Sequence, residues 1–178
     1  HAVQTVHACQ MGKHVYVEKP ASVTVRDGQA MVDAARANKV AVQVGAQART
    51  AKGAWQTCRA IRNGIVGKVN RVTCWHYASP ADNNPVPDSE PPAGLDWDFW
   101  LGPAPKIPFN RARTNFRVFW DYAGGQMTNW GAHHLDIAQW GLGMDASGPV
   151  EVQATAVFNA EKLYETPQTF AATYHYAN

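Results

Sequence analysis

The sequence predicts an α/β protein that opens with the closing half of a doubly wound parallel sheet. Two helix-like segments alternate with two short β-branched runs over the first 48 residues, and the connections between them are short. This alternation is typical of parallel α/β sheets. Apolar residues make up 46% of the 178 residues, which is enough for a core and excludes a disordered or collagen-like chain.

The elements of the opening half follow in the order helix, strand, helix, strand, over residues 2–11, 15–17, 24–38 and 40–44. Gly12 ends the first helix and Pro20 ends the first strand. Thr24 caps the second helix, because Asp27 follows it by three residues. Gly45 closes the second strand.

The chain changes character after residue 48, so we place a domain boundary there: 1–48 and 49–178. A helix around residues 55–65 leads to a strand over 69–78, and 8 of the chain's 11 prolines fall between 80 and 108. Within that stretch, residues 95–102 are too aromatic for a solvated linker, and we expect them to pack. A helix over 126–141 and strands over 150–158 and 169–176 complete the chain.

Charge and cysteine content limit the partners and the compartment. Lys and Arg number 16 against 14 Asp and Glu, so the sequence predicts no nucleic-acid or membrane partner, and no apolar run nears the roughly 18 residues of a membrane span. We interpret Cys9, Cys58 and Cys74 as buried free thiols, which favours a reducing, cytoplasmic location. The chain lacks an initiator Met, and we expect an internal fragment of a longer protein.

The first candidate site is Glu18-Lys19-Pro20, at the carboxyl end of a predicted strand. Ligands of open α/β sheets bind outside these ends, where a lysine can donate to a cofactor or a substrate hydroxyl. The alternative is an ordinary solvated lysine.

The second candidate site is the segment 124–136. If the segment is α-helical, Asn129, His133 and Asp136 form one polar stripe at i, i+4 and i+7. Histidine suits general acid–base chemistry near neutral pH. Two alternatives stay open, hydrogen-bonded core histidines and a metal site using His133, Asp136 and His76. The GxGxxA pattern over 141–146 follows a helix instead of a strand, so we interpret it as a helix-ending turn.

Three motifs in order resemble the glucose–fructose oxidoreductase and inositol dehydrogenase (Gfo/Idh/MocA) family. They are a strand ending in Glu-Lys-Pro at 18–20, a Trp-x-x-Trp-Leu-Gly-Pro loop at 97–103, and a helix over 124–136 that begins with Gly-Gly and ends with His-x-x-Asp. The resemblance implies an NAD- or NADP-dependent sugar or polyol oxidoreductase. It also implies an N-terminal Rossmann domain, of which 1–48 is the C-terminal part without the GxGxxG region. An α/β domain with an open, mainly antiparallel sheet would follow over 49–178, and that sheet would mediate homo-oligomerisation.

The resemblance also implies roles for individual residues. Lys19 would polarise the reacting oxygen and His133 would be the general base, with Asn129 beside it. These three and Asp136 would contact the substrate. The cofactor contacts would be Glu18, Lys19, Pro20, Gln47, Arg49 and Trp97, and no metal is expected.

One position departs from the family pattern. Asn129 replaces the usual aspartate four residues before the histidine, and an asparagine keeps a hydrogen bond but carries no charge. Three alternatives therefore stay open: a glycosidase of the same fold that uses NAD transiently, a non-catalytic sugar-binding or structural module, and a zinc hydrolase. NAD and NADP are not distinguished, because the residue that reads the ribose is expected upstream of His1.

Overall fold

The computed structural model describes residues 1–77, 84–158, 161 and 163–177. It divides into two compact units, one of His1–Trp75 with Gly131–Ala146 and the other of His76–Trp130 with Ser147–Asn178. Ala78, the last residue of the predicted strand 69–78, and Pro80 lie outside the described residues. Among the helices of the described part, none has the length and apolarity needed to cross a membrane. The domain boundary at residue 48 stays a prediction.

The opening half folds in the predicted order. Its elements are α1 (Ala2–Gln10), β1 (Val15–Glu18), α2 (Val25–Ala37) and β2 (Val42–Gly45). β1 and β2 pair in parallel, from Val15 opposite Val42 to Glu18 opposite Gly45, so the two strands end level with each other. The Thr24 hydroxyl accepts a hydrogen bond from the Asp27 amide at 3.1 Å, which confirms the predicted cap of α2.

Two further helices complete the first unit. A 3₁₀ turn (Gln47–Thr50) leads into α3 (Lys52–Arg62), which packs on α5 (Ala132–Gly141). The Cys58 thiol lies 3.7 Å from the Ile137 carbonyl oxygen, where the two helices meet. After α5 the Leu142 amide donates to the Ala138 carbonyl and Gly143 has φ +73°, so the GxGxxA pattern is the helix-ending turn that the sequence predicts.

The prediction of a strand over residues 69–78 is wrong for residues 69–77, the part of it that the structure describes. Residues 69–77 form no ladder with any described strand. Alternating side chains favour an extended chain, but a strand needs a neighbour for its backbone hydrogen bonds. In the same segment Cys74 is exposed, against the prediction of a buried thiol, whereas Cys9 and Cys58 are buried.

The aromatic segment after the prolines forms one core of the second unit. Asp96 caps the N-terminus of α4 (Trp97–Leu101), and its carboxylate accepts a hydrogen bond from the Phe99 amide at 2.9 Å. Trp97 stacks on Trp100 with ring centroids 4.6 Å apart, meets Phe109 edge-on at 5.1 Å, and donates its indole N–H to the Ile107 carbonyl at 2.8 Å. The prediction that this segment packs is confirmed.

A second core surrounds Phe119, which is fully buried just after the 3₁₀ turns Arg111–Thr114 and Phe116–Val118. Tyr164 and Tyr122 meet the Phe119 ring edge-on at centroid distances of 5.9 and 6.4 Å. The guanidinium carbon of Arg113 lies 4.6 Å from the centre of the same ring. Phe119 therefore packs against two aromatic rings and a cation.

The predicted helix 126–141 is α-helical only in its second part. Met127–Gly131 forms a π-helical turn, and α5 begins at Ala132. A π turn closes hydrogen bonds from i to i+5 in place of i to i+4. The α-helical stripe predicted from Asn129 through His133 to Asp136 is therefore wrong at its first member, while His133 and Asp136 share α5.

The last two strands confirm the predicted second sheet. β3 (Glu151–Val157) and β4 (Thr169–His175) are antiparallel, with Glu151 opposite His175 and Val157 opposite Thr169. Every residue of β3 is exposed. A parallel pair in the first unit and an antiparallel pair in the second confirm the predicted α/β fold class.

Candidate active site

The carboxyl ends of β1 and β2 form the edge of the sheet where the candidate site begins. Lys19 follows β1 directly and is half-buried, and a cis peptide bond joins it to Pro20. Because Glu18 is opposite Gly45, both strand ends lie at one edge. Ligands of open α/β sheets bind at such an edge.

Gly45 leaves space at this edge that a side chain would fill. A Cβ atom at this position would lie 3.0 Å from the Glu18 carboxylate and 3.0 Å from the Tyr16 hydroxyl. Both polar groups therefore reach across the end of β2, and glycine is the residue that admits them.

His133, in the first turn of α5, is held in its neutral form. Burial lowers the pKa of its imidazole below the ordinary value of 6.5, and the positive charges of Lys19 and His134 lower it further. The carboxylates of Asp136 and Glu18 act in the opposite direction but do not outweigh these effects. The charges of Lys19 and Glu18, at the β1 end, thus act electrostatically on His133, and its neutral imidazole can accept a proton near pH 7.

Arg49, in the 3₁₀ turn after β2, binds the same helix. Its Nε donates to Asp136 at 2.9 Å and its Nη2 to the other oxygen of that carboxylate at 2.8 Å. Nη2 also lies 2.9 Å from Asp145, beyond the end of α5, and the guanidinium carbon lies 5.5 Å from the centre of the Trp140 ring. The partners stand 87 and 96 residues away in sequence, so no local spacing could reveal the pairing.

The predicted site residues fall in both units. The first unit contains Glu18, Lys19, Pro20, Gln47, Arg49, His133 and Asp136. The second unit contains Trp97, which is a core residue there, and Asn129, whose amide donates to Gln126 at 3.4 Å. All these assignments, including that of Asn129 beside His133, stay predictions.

The metal alternative draws no support from side-chain geometry. Over the described ranges, no three residues of the His, Cys, Asp and Glu types stand close enough to hold a metal ion. His76, the third ligand of that alternative, lies in the second unit beside the ring of Phe170.

Solved structures with the same fold include proteins named as dehydrogenases and as an oxidoreductase. WlbA dehydrogenases from Chromobacterium violaceum and Bordetella pertussis, both in complex with NADH and UDP-GlcNAcA, match with TM-scores of 0.64 and 0.63 at 21% and 22% identity. The match covers 99% and 97% of this chain, but 42% and 43% of theirs. An aldose-aldose oxidoreductase from Caulobacter crescentus, complexed with glycerol, matches with a TM-score of 0.62 at 20% identity over 96% of this chain and 42% of its own. The chain thus spans less than half of these relatives.

Family comparison covers most of the sequence. Residues 1–46 match the NAD-binding Rossmann fold of an oxidoreductase family, and residues 60–177 match the C-terminal alpha/beta domain of the same family. The first match confirms the prediction of a nicotinamide dinucleotide cofactor at the level of the family. Since the second match alone spans more than half of the sequence, the chain belongs to the Gfo/Idh/MocA oxidoreductase family.

Proposed function

We propose that the complete protein is an NAD- or NADP-dependent oxidoreductase that acts on a carbinol carbon of a sugar or another polyhydroxylated substrate. One observation carries the proposal beyond family membership. The half-buried Lys19, at the end of β1, acts electrostatically on His133 of α5 and helps to keep that imidazole neutral. A cation whose charge acts on a neutral base supplies the two functions that alcohol oxidation needs, a proton acceptor and a donor to the developing carbonyl oxygen.

The residue types at the sheet edge suit a nicotinamide ring. Glu18 ends one strand and Lys19 and Pro20 follow it, Gln47 follows the other strand, and Gly45 admits the Glu18 carboxylate across the end of β2. These residues would hold the ring, which supplies the hydride acceptor when the cofactor is bound. Arg49 and Trp97 are predicted as further contacts of the cofactor. In the structure Arg49 binds Asp136 and Asp145, and Trp97 donates to the Ile107 carbonyl.

The proposed chemistry uses two side chains. His133 takes the proton of the substrate hydroxyl while the hydrogen on the same carbon leaves with its electron pair as hydride. Lys19 donates a hydrogen bond to the oxygen as it becomes a carbonyl oxygen, and Asn129 adds a further polar contact to the substrate. In the reverse direction the protonated His133 returns its proton to that oxygen.

The proposal also covers the class of substrate and the self-association of the protein. The WlbA dehydrogenases are in complex with UDP-GlcNAcA, and the Caulobacter enzyme is named for aldoses, so the molecules named with these proteins are polyhydroxylated. We propose a substrate of the same class. Self-association through the second sheet is part of the proposal, supported by the exposure of β3 along its whole length.

Cofactor turnover tests the proposed reaction. We expect the complete protein, given NAD or NADP and a panel of aldoses, polyols and nucleotide sugar acids, to form one reduced cofactor, absorbing at the reduced-nicotinamide band, per oxidised substrate. Release of free sugar from glycosides without net cofactor reduction would instead indicate the glycosidase. Neither reaction over the whole panel, together with dinucleotide binding, would contradict both readings and favour a binding module.

A glycine substitution tests whether the strand ends hold the cofactor. Gly45→Ala places a methyl group 3.0 Å from both the Glu18 carboxylate and the Tyr16 hydroxyl, so Glu18 must move. We expect dinucleotide affinity, measured by calorimetry, to fall about tenfold, the equivalent of roughly 1.4 kcal/mol. Gly53→Ala in α3 is the control, because its methyl group would meet nothing within 4 Å, and an alanine favours a helix. Equal affinities in the two variants would contradict the placement.

A further inference from the structure

Arg49 joins the sheet edge to the helix that carries the proposed base. It lies four residues beyond Gly45, in the turn that leaves the end of β2. Its guanidinium binds both oxygens of Asp136 side-on, a fork that fixes the direction of the carboxylate as well as its distance. Asp136 is one helical turn after His133, on the neighbouring position of the same face.

We call the contacts of Arg49 with Asp136 and Asp145 the clamp, and the contact with Asp145 holds the far end of α5. Asp145 follows that helix and accepts from the same Nη2 of Arg49 at 2.9 Å. Arg62 of α3 approaches the other oxygen of Asp145 at 3.7 Å. One guanidinium therefore contacts Asp136, one turn into α5, and the segment after the last turn of that helix, which restricts both rotation and sliding of the helix.

We propose that Arg49 is a positioning residue, and that its fork on Asp136 sets His133 of α5 in register with Lys19 at the end of β1. The inference rests on the proposed function, since it assigns to His133 the role of base. It differs from the contacts that the family resemblance implies, because Asp136 and Arg49 act here on each other in place of substrate and cofactor. Both side chains are only partly exposed, at 36% for Arg49 and 27% for Asp136.

The clamp makes an electrostatic prediction of definite sign. The charged groups that act on His133 are Lys19, His134, Asp136 and Glu18, and the Asp136 carboxylate among them raises the pKa. Removing that carboxylate lowers the pKa of His133 further. Removing Arg49 leaves the carboxylate uncompensated, so the pKa rises. Opposite shifts would show that both charges of the pair act on His133, and the loss of kcat is what shows positioning.

The test is a double-mutant cycle in the complete protein with Arg49→Gln, Asp136→Asn and the two combined. NMR titration of His133 without ligands should show its pKa raised in the first variant and lowered in the second. In turnover, each single variant should lose about 10- to 100-fold in kcat with KM changed less, because misplacement by about 1 Å has that effect. The double variant should lose no more than either single one, since all three break the same fork.

Two more variants make the result specific. Arg49→Lys keeps the charge without the fork, so it should leave the pKa of His133 near that of the parent and still lose kcat; it also serves if Arg49→Gln does not fold. Arg62→Gln removes a neighbouring arginine whose ion pair, in the part of the chain that the structure describes, is with Asp145 and not with Asp136, and it should change neither the pKa of His133 nor kcat. Losses that multiply in the double variant, or pKa shifts of the same sign, would overturn the clamp. Failure of the proposed function is recognised separately, by full turnover in Lys19→Met, and leaves the NMR cycle valid.

Discussion

The Lys19→Met variant of the complete protein should bind dinucleotide and lose about 10²–10³-fold in kcat, because one donor to the developing oxygen is removed. The same change should raise the pKa of His133, since the positive charge of Lys19 lowers it in the parent protein. The acidic limb of the pH profile of kcat/KM should move to higher pH accordingly. Both effects are measurable, by steady-state kinetics and by NMR titration.

The matched control for Lys19 is Lys13→Met, at an exposed position just before β1. It removes the same charge from the same region without touching the strand end, and activity should stay within twofold of the parent. Full activity in Lys19→Met, or an unchanged pKa of His133, would separate Lys19 from the site and would sink the proposed mechanism.

The largest effect on stability should come from Phe119→Ala. Phe119 is fully buried between Tyr164, Tyr122 and the guanidinium of Arg113. Truncation of a buried phenylalanine costs about 3–5 kcal/mol, from lost burial and from the cavity left behind. We expect the urea midpoint of the transition of the second unit, followed by tryptophan fluorescence, to fall accordingly.

Phe116→Ala provides the comparison within the same short stretch. Its ring is 40% exposed and has the guanidinium of Arg117 at 5.1 Å from its centre, so truncation removes less buried area than it does at Phe119. We expect a clearly smaller loss of stability than for Phe119→Ala, because the lost burial and the cavity left behind are both smaller. Equal midpoints for the two variants would show that the ring cluster does not hold the second unit together.

Short sequence patterns predict the elements that depend on residues close together in the sequence. The cap of α2 follows from Thr24 and Asp27, and the parallel pair follows from two β-branched runs separated by a helical pattern. Packing of the aromatic segment around Trp97 follows from composition alone. These features depend on residues within about one element of each other, so a single sequence contains their signal.

Features that depend on distant partners were not predictable in this way. Residues 69–77 have the alternation of a strand, but pairing decides whether a strand forms. The fork of Arg49 on Asp136 joins positions 87 residues apart, and no periodicity connects them. The types and positions of Lys19 and His133 indicate candidate site residues, whereas the electrostatic link between them depends on the folded chain.

The π turn Met127–Gly131 has a consequence for the angular phase of the residues around it. An α-helix advances by about 100° per residue, and a π turn holds one residue more in its ring. A helical wheel drawn continuously from residue 127 through α5 therefore misassigns the faces on one side of the turn by about that angle. Deleting one residue inside the turn should restore a continuous α-helical phase, whereas a deletion between His133 and Asp136 would rotate these two side chains out of alignment with each other.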